Sequence, residues 1–423
     1  MIEHLTSFLG NLITSFWWVA LPPFLLFIFL DLWLWHKREK YKRGLKWNLL
    51  EVVAPKEIIQ TPKSMEQIFS AMHAIYTFGI LPRAKWAEGA VENWMSFEIV
   101  GRAGTIHFYI RTLEKYRNLV ESAVFSQYPE AEINLVPESE DYVNQFSMVL
   151  PNKTYDIWGT DFVLAREDGY PIRTYEFFEH PVKEEKRVDP IAIITEAMSR
   201  LESSEAIWLQ FLIRPNDNSW IDKAKKLIAE LMGEKKEGDI IFGWVGIITS
   251  EIAHLFKNFF LAWFTPPVWP GPEEEKKEKN ERKVLTPGTR NIIEAIENKI
   301  SKIGFDFVLR FVYIDRRDRF SGSNIASIMG AIRQFNTNHM NAFRPNMATM
   351  TIGMEPFKNF KIRRKQRKLY AYYRTREFPN KFSVLSTEEL ATIYHYPIGE
   401  VKSPTLRRTM AKKGGPPLDL PIT

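Results

Sequence analysis

The chain has 423 residues, 45% hydrophobic and 26% charged, enough for two or three domains that bury ordinary cores. It has no cysteine, which excludes disulfides, thiolate metal sites and cysteine nucleophiles. The formal net charge of +6 is concentrated: 37–46 holds six basic residues and one acid, 358–376 nine basic residues and no acid, leaving the remainder at −8. A generally basic nucleic-acid coat is therefore excluded.

From Leu5 to Leu30 no side chain is ionised, a run of 26 residues, where a helical membrane span needs about 20. Pro22-Pro23 would kink such a helix, which bilayer helices tolerate. Trp17, Trp18, Phe24, Phe27, Phe29, Trp33 and Trp35 are the candidate anchor residues, the tryptophans as interfacial aromatics. A cleaved signal peptide would need a basic start and small residues at its end, whereas Met1-Ile2-Glu3-His4 opens this one and bulky residues close it. Lys37, Arg38, Lys40, Lys42 and Arg43 follow directly and are candidate contacts for anionic lipid headgroups. The positive-inside rule predicts a single-pass inner-membrane protein, N-terminus outside and bulk cytoplasmic. Residues 1–47 form this anchor segment.

Residues 48–238 are expected to form a first α+β domain. Ser64 and Gln67 suggest a capping box before the helical pattern Ile68, Phe69, Met72, Ile75. Trp94 to Val100 alternates as a strand, Gly101 to Gly104 reads as a tight turn, and Thr105 to Ile110 as the return strand. Thr112 is the expected cap of a helix ending near Tyr128-Pro129, followed by a strand from Glu132 to Val136. Asp189-Pro190 opens another helix, then come a strand from Ala206 to Ile213 and a helix from Trp220 to Met232. Helices alternating with paired strands suggest ferredoxin-like α/β sandwich units.

Residues 239–270 break this pattern. Ser250, Glu251, His254, Lys257 and Asn258 fall on one helical face, while Phe256, Phe259, Phe260 and Trp263 share the other, predicting an amphipathic helix in the bilayer interface. A core helix and a second span are the alternatives, the latter against Glu251 and Lys257 near mid-bilayer. Residues 271–288 read as a charged linker. A second ferredoxin-like unit is expected over 289–397, and 398–423 form a tail. The strand at Phe305–Tyr313 and its following helix resemble Thr105–Ile110 and the helix after it, which suggests an internal duplication.

The search for chemistry is negative. There is no phosphate-binding loop and no dinucleotide fingerprint, the eight histidines lack metal-ligand spacing, and no Gly-x-Ser-x-Gly elbow is present. No catalytic residue, metal site or cofactor is expected, and Asp315 to Arg319 reads as alternating charge in a strand-to-helix loop. The basic run with Arg363, Arg364, Lys365, Arg367, Lys368 and Tyr370 leaves two readings open. Basic and aromatic residues alternate there as in single-stranded nucleic-acid sites; the same pattern fits an edge or crossing strand facing anionic lipid or an acidic neighbouring subunit.

Several segments carry a family resemblance: Phe97-Glu98-Ile99 with Phe108-Tyr109-Ile110-Arg111; 127–133 (QYPEAEI); Ile328-Met329-Gly330 with Gln334-Phe335-Asn336; and above all 385–397 (LSTEELATIYHYP). They resemble the N-terminal membrane and α+β region of conjugation or type IV secretion coupling-type ATPases of candidate-phyla bacteria. In that family a proline-bearing stretch like 416–421 leads into a motor, which would begin where this chain stops at Thr423. The resemblance implies a membrane platform without its own ATPase: a non-enzymatic, homo-oligomeric scaffold partnered by the bilayer and a separately encoded ATPase. A DNA-binding accessory factor using 358–376 is the alternative.

Overall fold

The computed structural model describes residues 2–55, 60–77, 79–146, 148–178, 189–233 and 285–397, without the side chains of 2–17, 19 and 20. Helix α1 (Ile2–Arg43) runs for 42 residues with Pro22 and Pro23 inside it. Among the described residues no helix is long and apolar enough to cross a membrane; the expected span over 5–30 falls for the larger part on side chains outside the described set. The C-terminal part of α1 docks on the body. Leu34 is buried, and Lys42 Nζ pairs with Glu39 at 2.7 Å and Glu377 at 2.6 Å. At Gly89, with φ of +74°, a Cβ would strike the Lys37 backbone, so only glycine suits both the left-handed conformation and the close approach.

The chain then runs β1 (Trp47–Val53), α2 (Pro62–Met72), β2 (Met95–Arg102), β3 (Thr105–Leu113), α3 (Arg117–Gln127) and β4 (Glu132–Val136). Spatially these strands lie β4-β1-β3-β2. Two local expectations are corrected here. Helix α2 is capped by Thr61, whose side chain accepts from the Lys63 N–H, because Pro62 is already set for the first turn; Ser64 lies inside the helix. Thr112 is a buried strand residue, paired with Asn48, and α3 begins five residues later. The β2–β3 turn does form as read: Ala103 and Gly104 both have positive φ, the twist that a two-residue hairpin requires.

A second set follows: β5 (Tyr155–Leu164), α4 (Ala192–Ser199), β6 (Ala206–Pro215), α5 (Ser219–Met232), α6 (Pro287–Ile300), β7 (Gly304–Arg316), α7 (Gly322–Arg333) and β8 (Phe343–Pro345). Its strands lie β8-β5-β7-β6. Leaving α5 and α6 aside as an excursion between β6 and β7, both halves run β-α-β-β-α-β with matching strand order. They join where β2 pairs antiparallel with β6, from Met95↔Ile213 to Arg102↔Ala206. The expected boundary between 48–238 and 289–397 therefore does not divide the sheet. Strand β5, expected in the first domain, pairs with β7, and β6 pairs with β7 from Ala206↔Ile314 to Pro215↔Phe305. Finally α8 (Lys358–Thr375), β9 (Ser383–Ser386) and α9 (Thr387–Ile393) close the described chain, β9 pairing with the start of β7. The result is a mixed α+β fold around one large antiparallel sheet.

Alternation along the strands makes two dissimilar faces. Ile207, Leu209, Phe211 and Ile213 of β6 enter a core shared with α2, α3, α4, α7 and α9. Ala206 and Trp208 face the other way, into a smaller core closed by α8 and the loop carrying Tyr142, Val143 and Leu150. The expected interfacial helix, with Phe256, Phe259, Phe260 and Trp263, most of the 271–288 linker and the 398–423 tail lie outside the described residues.

Candidate functional site

The basic run is a helix, not a strand. Gln366, Leu369, Tyr370 and Tyr373 are its buried residues, an i, i+3, i+4, i+7 stripe that fits only helical periodicity. Leu369, Tyr370 and Tyr373 pack on Trp208 and its neighbours, each contributing roughly 1.5–3 kcal/mol of burial. Gln366 Nε2 donates to the Ile157 carbonyl at 2.6 Å and to Asp156 Oδ1 at 2.9 Å. The opposite side carries Lys358, Lys361, Arg363, Arg364, Arg367 and Lys368, all exposed. The helix contains no acid, and among the described residues none of these six has an ion pair. Lys365 is partly drawn in, donating to the Met347 carbonyl at 2.8 Å, and Lys368 lies 5.5 Å from the Tyr372 ring.

Tyr370 and Tyr373 are 2% and 0% exposed. The aromatics of the basic-aromatic alternation thus belong to the core rather than to a stacking platform; Phe360 is the exposed ring.

Beneath α8 a row of polar residues crosses the sheet in register. Glu98 pairs with Gln210, Gln210 with Arg310, and Arg310 with Asp161. All four are buried. Arg310 Nε donates to Asp161 Oδ1 at 2.8 Å and Nη1 to Gln210 Oε1 at 2.9 Å, while Gln210 Nε2 donates to Glu98 Oε1 at 3.1 Å. This row grips the C-terminal end of α8: Arg310 Nη1 also donates to the Tyr372 carbonyl, and Gln210 to that of Tyr373. Just past the helix, Arg376 turns back in the left-handed conformation. Its guanidinium donates to Glu98 at 2.8 and 3.1 Å and to Asp141 at 2.6 and 2.9 Å. Burial alone would raise the Glu98 carboxyl pKa. The Arg376 guanidinium, with the Ser96 and Tyr142 hydroxyls, instead holds it below its ordinary value. The sequence analysis assigns no site role to these four strand residues, because each becomes part of a row only through the pairing of distant strands.

The family described as "Domain of unknown function (DUF8128)" matches residues 36–409, which spans every element from β1 to α9. The chain belongs to that family. No curated protein matches the sequence. Within the DUF8128 region the segment 385–397 is buried throughout, and its sequence explains why. Ser386 and Glu389 form a capping box at α9, Glu389 pairs with Lys299 at 3.0 Å, and His395 Nε2 meets Asp189 Oδ1 at 3.0 Å. Tyr394 and Tyr396 sit among Phe97, Phe108 and Tyr128. These contacts tie α9 to both halves of the sheet.

The other predicted residues divide sharply. Trp18, Phe24, Phe27, Phe29, Trp33 and Trp35 are exposed on α1, and the Trp17 side chain lies outside the described set. Lys40 and Arg43 are exposed, whereas Lys37, Arg38 and Lys42 are half-buried against the body. Lys37 lies 5.5 Å from the Trp33 ring. Burial opposes the charge on Lys42, but Glu377 and Glu39 hold its pKa above the ordinary value, so this lysine is engaged within the chain. Of the charges expected in a strand-to-helix loop, Asp315 and Arg316 instead end β7, Asp315 buried, and Arg317 to Arg319 form the turn, with surface pairs such as Arg319–Glu202 at 3.4 Å. Among the described residues no group of three or more His, Asp and Glu is placed to hold a metal ion.

Proposed function

We propose that the chain is a membrane-anchored, non-enzymatic scaffold whose α8 helix docks on the anionic lipid of the membrane that α1 enters. The observation that carries this reading is the outer face of α8: six exposed basic residues without an ion pair among the described residues, on a helix fixed by its buried stripe. The base of α1 lies at the same end of the body, since Lys42 pairs with Glu377 just beyond α8. Residues 24–30 of α1 are apolar and exposed on every side, which favours a bilayer over water. At 42 residues the helix reaches about 63 Å, ample for a bilayer core of about 30 Å plus a docked portion.

We read the two halves as ferredoxin-like units related by duplication, each with its first to fourth strands in the order 4-1-3-2. The likeness of 385–397 to the N-terminal region of secretion-type ATPases supports a homo-oligomeric membrane platform. Burial of Tyr370 and Tyr373 weighs against the nucleic-acid alternative, because single-strand grooves need accessible rings.

The test reconstitutes the full chain in nanodiscs of anionic or zwitterionic lipid and measures acylation of Lys361 and Lys368. Protection in anionic discs alone, lost at high salt, is expected. Equal labelling in both lipids overturns the lipid-docking reading.

A further inference from the structure

We propose that the cleft between the C-terminal end of α8 and strands β1 and β4 binds a small phosphate-bearing anion. This proposal is independent of the membrane reading, since it rests on an inner recess rather than on the outer face of α8.

The cleft encloses about 800 Å3. Lys46 just before β1, Arg111 on β3, and Arg367 and Arg374 on α8 all line it. The two basic clusters of the sequence therefore converge here, although more than 300 residues separate them. Arg376 also lines the cleft, but Glu98 and Asp141 already engage it. The acids of the lining are Glu138 and that same Asp141. Among the described residues, positive charge without an ion-pair partner thus dominates the recess.

Two guanidinium groups carry the argument. Arg111 Nη1 is enclosed and has no hydrogen-bond partner, and its guanidinium is held 4.1 Å from the Trp47 ring. Burial and the neighbouring Arg376 push the Arg111 pKa down to about 9, against the opposing pull of Glu98 and Asp141. Its charged form is thus under-compensated as the chain stands. Arg374 donates Nη1 to the Met148 carbonyl and Nη2 to Asn144 Oδ1. Those bonds fix its plane, while its Nε is enclosed without a partner. Leaving a guanidinium N–H buried and unpaired is costly. An anion with several oxygens on one centre suits a recess lined by Lys46, Arg111, Arg367 and Arg374, and arginine forks match phosphate geometry.

The phosphate could be free or carried on a lipid headgroup, and the experiment separates these sources. Pyrophosphate is titrated calorimetrically into the full-length chain in neutral detergent at fixed ionic strength. Saturable binding at one site per chain is expected, weakened about tenfold or more by Arg374→Gln or Arg111→Gln, as loss of a charge-assisted bond implies. The Arg363→Glu/Arg364→Glu variant, on the outer face, should bind as the parent does. Should Arg111→Gln fail to fold, Arg374→Gln carries the test, because that side chain is only half-buried on α8. Displacement by short-chain phosphatidic acid supports the proposal and assigns a lipid phosphate; pyrophosphate binding that resists such displacement supports it and assigns a soluble one. Absence of saturable binding for both probes, or binding that Arg111→Gln and Arg374→Gln leave unchanged, overturns it.

Discussion

The two faces of the sheet solve the same problem differently. On one, Phe97, Phe108 and Phe211 meet Tyr394, just past α9, and Phe97 also meets Phe69 of α2, in an apolar core whose adhesion is non-directional. On the other, α8 is held by three core side chains and by a buried chain of carboxylates, amide and guanidinium groups. Apolar burial tolerates small shifts, whereas a buried ion pair rewards one geometry and punishes the loss of either partner. The lesson is that the basic helix is positioned by register: its C-terminal end can sit only where Glu98, Gln210 and Arg310 line up.

The comparison can be broken from either side. Phe97→Ala, which removes a ring packed 5.0 Å from Phe69 and 5.2 Å from Tyr394, should destabilise by ~3–5 kcal/mol, read as a lowered midpoint in urea. Arg376→Met should cost about 3 kcal/mol by stranding Glu98. The double variant Glu98→Leu/Arg376→Met should recover part of that loss, because the Glu98 carboxylate is no longer stranded, while Asp141 and Arg111 each lose a counter-charge. A double variant as unstable as Arg376→Met would show that the charged row matters for packing alone.

A smaller effect sharpens the distinction. The folded-state pKa of Glu98 is depressed, so its contribution is fully present above its unfolded value of ~4.3 and lost as pH falls through the lower folded value. Thermal midpoints of the parent should therefore fall on acidification below about pH 4, and Glu98→Gln should flatten that limb. Smallest of all, Arg363→Glu/Arg364→Glu should shift stability by no more than ~0.5 kcal/mol, since both side chains are exposed and lack ion pairs among the described residues. A large loss would mean that the outer face of α8 has a structural task.

Strands with local alternation were legible from the sequence: 94–100, 105–110, 132–136, 206–213 and the long apolar strand at 305–314 all formed. Strand β1 was not, because the basic run and the anchor segment were carried through to residue 47, so that its first residue fell inside the anchor. Helix α8 was missed although the spacing of Gln366, Leu369, Tyr370 and Tyr373 announces it, because the eye follows the charges. The single sheet and its polar row were beyond local reading. Glu98 and Gln210 are 112 residues apart, and Asp161 and Arg310 are 149 apart; only the pairing register makes them neighbours. The cleft was hidden for the same reason, since Lys46 and Arg374 come together by tertiary folding alone.

The meeting of β2 with β6 has a further consequence. By spending one border strand from each half on the central seam, the described sheet runs out to β4 and β8, with the four-residue β9 beside β7 as a further short margin. Strand β4 has five residues and is followed by Pro137, and β8 has three, ending in Pro345. Short, proline-bounded margins offer little backbone for another chain to extend. Growth of the sheet from copy to copy is thereby discouraged, and any self-association of this chain is steered toward its helices.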